Sequence, residues 1–159
     1  MKNYVIREEE QQPSIVQEAG AHYFSSSIHT LLSDRPLQAH DSIIRGITYE
    51  VFEQLQHKID ISEEKWAEIL CLSVKSLQRY KKDIDFRFKP IHTEKILEIS
   101  EVVVLGLRVF DNDSKKFNEW LVTTSFVLGN HKPIDLISDS YGKEMVMQEL
   151  NNIEQGIFV

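Results

Sequence analysis

The sequence predicts an all-α protein: a helix-turn-helix module followed by a compact three-helix segment, the two sharing a long central helix. Three observations predict this. Apolar residues recur at helical spacing from residue 41 onward. Serines and aspartates suited to helix capping stand just before those runs. No strand pair, repeat or low-complexity tract stands out.

Residues 1–40 are expected as a flexible or partly ordered segment. Glu8 to Gln12 is an acidic and amide run, Pro13 follows, and Ser25 to Ser27 is a polar cluster. A short helix is expected over Ile28 to Leu32, broken by Arg35-Pro36. Residues 41–111 form the expected helix-turn-helix domain. Ile47, Val51, Phe52, Leu55 and Ile59 recur at helical spacing and predict its first helix. Ser62 is a good N-cap, with Glu63 and Glu64 in the first turn, where the helix dipole favours acids. Trp66, Ala67, Ile69 and Leu70 supply the apolar side of that helix. Ser73 is a second N-cap, and Leu77 and Tyr80 point inward from a short helix ending near Lys82.

Ile96 to Phe110 holds ten apolar residues in fifteen. A strand would alternate, but Glu98, Glu101 and Arg108 sit three and ten apart, on one helical face. A helix apolar nearly all round is central, buried by its own fold or by a second copy of the chain. Residues 112–159 form the C-terminal domain. Asp113 or Ser114 caps a helix running through Trp120 and Leu121, and Phe126 to Gly129 is a turn. Pro133 suits the first position of a short helix over Ile134 to Ile137. Asp139 or Ser140 opens the last helix, where Val146, Leu150, Ile153 and Ile157 recur at four, three and four; Gly156 ends it.

Composition excludes several classes. The 159 residues carry a formal net charge of −7, so the surface as a whole is no polyanion binder. Cys71 is the sole cysteine, which excludes an internal disulfide and a Cys-based zinc site and suits a reducing cytoplasm. The start, MKNYVIREEEQQP, lacks the apolar core of a signal peptide. The run Ile96 to Phe110 is too short and too charged to span a bilayer. The histidines (His22, His29, His40, His57, His92 and His131) show no metal-ligand spacing. No nucleophile elbow or phosphate-binding loop occurs, so neither a catalytic residue nor a cofactor nor a metal is expected, and the chain reads as no enzyme.

Local charge points to nucleic acid. Ala67, Cys71 four residues later and Leu77 ten later match the spacing that lets two helices cross closely about a tight turn, where glycine is usual. Residues 73–89 hold six basic and two acidic residues, a net +4, which leaves −11 for the rest. Ser73, Lys75, Ser76, Gln78, Arg79 and Lys82 form the outward face and the candidate DNA-binding set. Lys75 in the first turn opposes the helix dipole, a local cost that makes sense if a phosphate docks there. A solvated basic loop would carry the same charges. The chain ends in the apolar run Ile157-Phe158-Val159, either tucked into the fold or presented to a partner; the residues alone favour tucking.

The C-terminal pattern resembles the toxin-binding domain of the Xre, MbcA and ParS antitoxins. The motif residues are Trp120-Leu121, Leu128-Gly129, Pro133, Leu136-Ile137, Gly142, Val146, Leu150, Ile153 and Gly156. Upstream, Ile69-Leu70-Cys71-Leu72-Ser73-Val74-Lys75-Ser76-Leu77-Gln78-Arg79 is similar to the family's Leu-Leu-Gly-Ile-Ser-x-Arg-Thr-Leu-x-Arg, with Cys71, Lys75 and Ser76 as departures. The resemblance covers about residues 45–159.

The resemblance implies an all-helical, dimeric antitoxin of a type II toxin–antitoxin system. The Xre type pairs with a RES-domain toxin that consumes NAD, blocks the entrance of its active site, and represses its own operon through the helix-turn-helix. NAD is then the toxin's substrate and no cofactor of this chain. The implied toxin-binding residues are Tyr141, Lys143, Gln148, Asn152, Gln155, Gly156, Ile157, Phe158 and Val159, with the tail presented rather than tucked. Trp120, Leu121, Leu128, Gly129, Pro133 and Gly142 are implied to be structural. Operator DNA is the second expected partner, and the apolar run Ile96 to Phe110 is a candidate dimer surface. The rival from another class is a free-standing helix-turn-helix transcription regulator with a sensing C-terminal domain.

Overall fold

Capping side chains fix where four helices begin. The Ser62 and Ser73 hydroxyls accept the backbone N–H groups of Lys65 at 3.2 Å and Ser76 at 3.1 Å. The Asp113 and Asp139 carboxylates accept those of Lys116 at 3.1 Å and Gly142 at 2.9 Å. Each satisfies an N–H with no partner inside its helix. Where the sequence leaves aspartate or serine open, aspartate is the cap at both sites.

The computed structural model describes residues 36–157. The acidic run at 8–12, the polar cluster at 25–27, the helix expected over 28–32 and the tail residues Phe158 and Val159 lie outside the described residues. Among the described residues the chain forms α1 (Pro36–Arg45), α2 (Tyr49–Gln56), α3 (Glu63–Ile69), α4 (Val74–Lys81), α5 (Pro90–Val109), α6 (Ser114–Val122), α7 (Pro133–Leu136) and α8 (Ser140–Glu154). The only β pairings among them are two isolated bridges, Thr48 with Arg87 and Ser125 with His131. The fold is all-α. No helix among the described residues is long and apolar enough to cross a membrane.

One expectation is corrected, and one helix is new. The break expected at Arg35-Pro36 concerns the helix over 28–32, outside the described residues, while Pro36 itself opens α1. Its missing N–H costs nothing at a first helical position. The helix expected from Ile47 to Ile59 runs only over α2. Gly46 sits at φ +74°, and a Cβ there would lie 2.2 Å from the Phe88 carbonyl oxygen. The chain therefore breaks before Ile47 and runs against residues 87 and 88. Phe88 donates its N–H to the Ile47 carbonyl at 2.9 Å, and the Arg87 guanidinium donates to the Gly46 carbonyl at 2.8 Å.

One continuous hydrophobic core holds the helices together, from Ile47 to Leu150. At the N-terminal end, Phe52 meets Trp66 edge-to-face at 5.1 Å and Phe88 at 5.2 Å, and Tyr80 stacks on Phe86 at 3.8 Å. At the C-terminal end Phe110, Phe117 and Trp120 cluster within 6.2 Å of one another. The 20-residue α5 joins the two ends, a rod of about 30 Å. Ile96, Ile99, Val102 and Val103 are enclosed within the chain itself. Much of the apolar run Ile96 to Phe110 thus lies in the chain's own core, while Val104, Leu107, Val109 and Phe110 stay partly exposed. Burying each such side chain contributes about 1.5–3 kcal/mol.

Helix α5 packs most extensively on α8. The polar trio that marked one face of α5 meets α8 in register. Ser140 donates to Glu98 at 3.2 Å, Lys143 pairs with Glu101, and Arg108 binds Glu154 through two nitrogens at 2.8 and 3.2 Å. Contacts that advance together along both helices make α5 and α8 neighbours running in the same sense.

Candidate functional site

The first candidate surface is the outward side of α4. Helix α3 ends in a Schellman motif: Leu72 N–H reaches the Ala67 carbonyl at 2.8 Å and Cys71 N–H reaches that of Glu68 at 3.0 Å. This closure puts Cys71 at φ +52°, the left-handed region that favours glycine. The spacing Ala67–Cys71–Leu77 is thereby realised: Ala67 and Leu77 are buried and Cys71 is exposed in the turn.

Lys75, Arg79 and Lys82 are exposed on α4 and just beyond it. Arg79 lies over the Tyr80 ring at 5.3 Å, and neither Lys75 nor Lys82 forms an ion pair among the described residues. Ser73 and Ser76 share a hydrogen bond of 2.9 Å in the cap, and Gln78 donates to Glu63 at 3.0 Å. Lys81, counted in the basic run, is tied to Glu53 at 2.8 Å, which raises its pKa. The free cations of this face are therefore fewer than the sequence count.

His92, in the first turn of α5, packs behind this unit. Burial pushes its pKa down, opposed by a backbone hydrogen bond involving Leu70 at the end of α3, while Lys89 adds to the lowering.

The second candidate surface lies on α8. The segment before it is built by the motif residues. Leu121, Leu128 and Pro133 are buried, and Trp120 is half-buried among the Phe110 and Phe117 rings. Gly129 and Asn130 adopt φ +66° and +63°, closing the turn that leads to the Ser125–His131 bridge. A Cβ on Gly142 would lie 2.1 Å from the Leu136 carbonyl oxygen, so a glycine is needed where α8 starts against α7.

Across α8, Val146 and Leu150 face the core while Tyr141, Met145, Gln148 and Asn152 form the opposite stripe. Tyr141 is 89% exposed. Gln148 donates to Asn152 at 3.2 Å. With Val127 and Leu128 these residues line a groove of about 510 Å³ that also contains Glu144 and Glu149. Phe126 in the adjoining turn is 83% exposed and Met145 46%. Phe126, Val127 and Met145 are absent from the expected site residues, although Met145 stands one helical turn beyond Tyr141.

Lys143 has a different position. Its side chain is only 17% exposed and its ammonium pairs with Glu101. Helix α8 ends in another Schellman motif, with Ile157 N–H on the Asn152 carbonyl at 2.9 Å and Gly156 N–H on that of Ile153 at 3.0 Å. Gly156 stands at φ +69°, Gln155 and Gly156 are exposed, and Ile157 is half-exposed rather than tucked. Among the described residues no group of three His, Cys, Asp or Glu could hold a metal.

A family model described as the antitoxin Xre/MbcA/ParS C-terminal toxin-binding domain matches residues 106–156. The match begins at Gly106 near the end of α5 and closes on Gly156, so it includes the whole groove and every C-terminal motif residue. The upstream similarity around Ile69 to Arg79 lies outside it. No curated protein shows a significant match to the chain. Residues 106–156 thus match the Xre/MbcA/ParS toxin-binding domain, and this match supports an antitoxin role with a toxin as the partner.

Proposed function

We propose that the chain neutralises a RES-domain, NAD-consuming toxin in the cytoplasm by covering the entrance of the toxin's active site. The observation that carries this is the match of residues 106–156 to a toxin-binding domain whose last helix leaves Tyr141 and residues 155–157 open to a partner. The choice of a RES-domain toxin rests on the resemblance of the longer sequence to the Xre type. The contact surface on this reading runs from Tyr141 through Gln148, Asn152, Gln155 and Gly156 to Ile157, Phe158 and Val159. Inhibition is steric, so NAD is excluded from the toxin and never handled by this chain.

The test is co-expression with the protein encoded beside it, followed by co-purification and measurement of cellular NAD. Co-elution and preserved NAD are the expected result. An adjacent protein that stays lethal and elutes alone overturns the proposal and favours the free-standing regulator. Deleting Ile157 to Val159 should weaken neutralisation and leave the helical signal intact; full inhibition by the truncated chain rejects the tail's role.

Repression of its own operon is the second activity proposed. The exposed cations Lys75, Arg79 and Lys82 beside the α3–α4 turn favour it. A homodimer would set two α4 helices in successive major grooves, about 34 Å apart. Replacing Lys75 and Arg79 by alanine should weaken operator binding and flatten its salt dependence. A gel-shift salt series unchanged by the double substitution would reject this face.

A further inference from the structure

We propose that the groove between the 126–130 turn and α8 receives an apolar side chain of the toxin flanked by lysine or arginine. The proposal rests on the assignment of residues 106–156 as a toxin-binding domain and adds the chemistry of what binds there.

Three features of the groove lead to that occupant. Its lining is largely apolar, with Val127, Leu128, Tyr141 and Met145. Tyr141 and the neighbouring Phe126 are almost fully in water, and exposed aromatics next to a cleft are the side chains that most often anchor a partner. The groove also carries Glu144 and Glu149, and neither carboxylate belongs to an ion pair among the described residues.

The nearby cation on α8, Lys143, is held by Glu101 and leaves those carboxylates uncompensated. An apolar cleft with two open carboxylates repels phosphates and acidic peptides, and it attracts a segment that pairs an apolar side chain with positive charge. The chain's own charge of −7 argues against a second copy as the occupant. A volume of about 510 Å³ leaves room for a large side chain together with part of its backbone.

The experiment measures binding of the full chain to the co-purifying toxin, immobilised, at low and high salt. The double variant Tyr141→Ala/Met145→Ser should weaken binding at least about tenfold, mainly through faster dissociation. Glu144→Lys/Glu149→Lys should slow association several-fold at low salt, with the difference closing at high salt. Tyr141, Glu144 and Met145 are exposed and Glu149 is half-buried, so matching thermal melts are expected for all variants. If a double variant melts early, the single changes Tyr141→Ala and Glu144→Lys replace it. Wild-type binding that both variants reproduce overturns the groove while leaving the antitoxin role intact. A wild-type chain that binds no toxin overturns both. Association that the lysine variant accelerates overturns the assigned charge of the occupant.

Discussion

Glu101 on α5 and Lys143 on α8 form an ion pair across the most extensive helix packing in the protein, with the lysine mostly out of water. The pair is flanked by Ser140 on Glu98 at one end and Arg108 on Glu154 at the other. Lys143→Ala should therefore cost stability, about 1 kcal/mol. A double-mutant cycle with Glu101→Gln should show most of that loss as coupling. Thermal melts that leave the two substitutions additive would assign Lys143 to some other interaction.

Gly106 faces the ring of Phe117 so closely that a Cβ would stand 2.0 Å from ring carbon Cε2. Gly106→Ala should force the ring or the helix aside and cost about 1–3 kcal/mol, seen as a lower urea midpoint. Trimming the neighbour with Phe117→Leu in the same chain should recover part of the loss. A Gly106→Ala midpoint equal to wild type would mean that α5 and α6 can move apart freely.

Cys71 is a non-glycine residue held at φ +52°. Cys71→Gly removes the left-handed strain, worth about 1–2 kcal/mol, but adds about 0.5–1 kcal/mol of backbone entropy to lose. The net expectation is a slight gain, roughly 0.5 kcal/mol by that difference. Cys71→Val should lose stability instead, because a β-branched side chain is disfavoured at positive φ. Equal melting temperatures for the glycine and valine variants would contradict this account of the turn.

His92 has a depressed pKa, mainly from burial. An unfolded chain then binds a proton more readily than the folded one once the pH falls below the ordinary imidazole value of 6.5. Its contribution is complete above that value and is lost as the pH falls through the lower folded value. Stability measured by denaturant between pH 7.5 and 5.5 should fall with pH, and His92→Gln should flatten that slope. An unchanged slope in the variant would assign the titration elsewhere.

Much of this was legible in the residues. Ser62, Ser73 and the two aspartates announced helix starts because capping is a local interaction between a side chain and the next turn. The stripe Val146–Leu150 was legible for a similar reason: one helix face reads directly as spacing. The trio Glu98, Glu101 and Arg108 was legible as a face, but not as a face with partners, because those partners lie more than forty positions along the chain. Helix α1 was not legible, because a proline that ends one helix can open the next with the same chemistry. The groove was hidden for a related reason. Phe126, Val127 and Met145 look like core residues in composition, and their exposure depends on how the 126–130 turn sits on α8. Lys143 read as a charge offered to a partner, since its neighbour Glu101 could not be seen from α8 alone.

The continuous core has a consequence for the lifetime of the molecule. With α5 threading both ends there is no seam along which one half can open while the other stays shut, so a single melting transition is expected in calorimetry. Whatever grips the last helix then protects the first ones by mass action, about 2.7 kcal/mol when the partner stands at a hundred times its dissociation constant. Release from that grip would leave α4 and α8 open to proteases together, so both would decay on one clock.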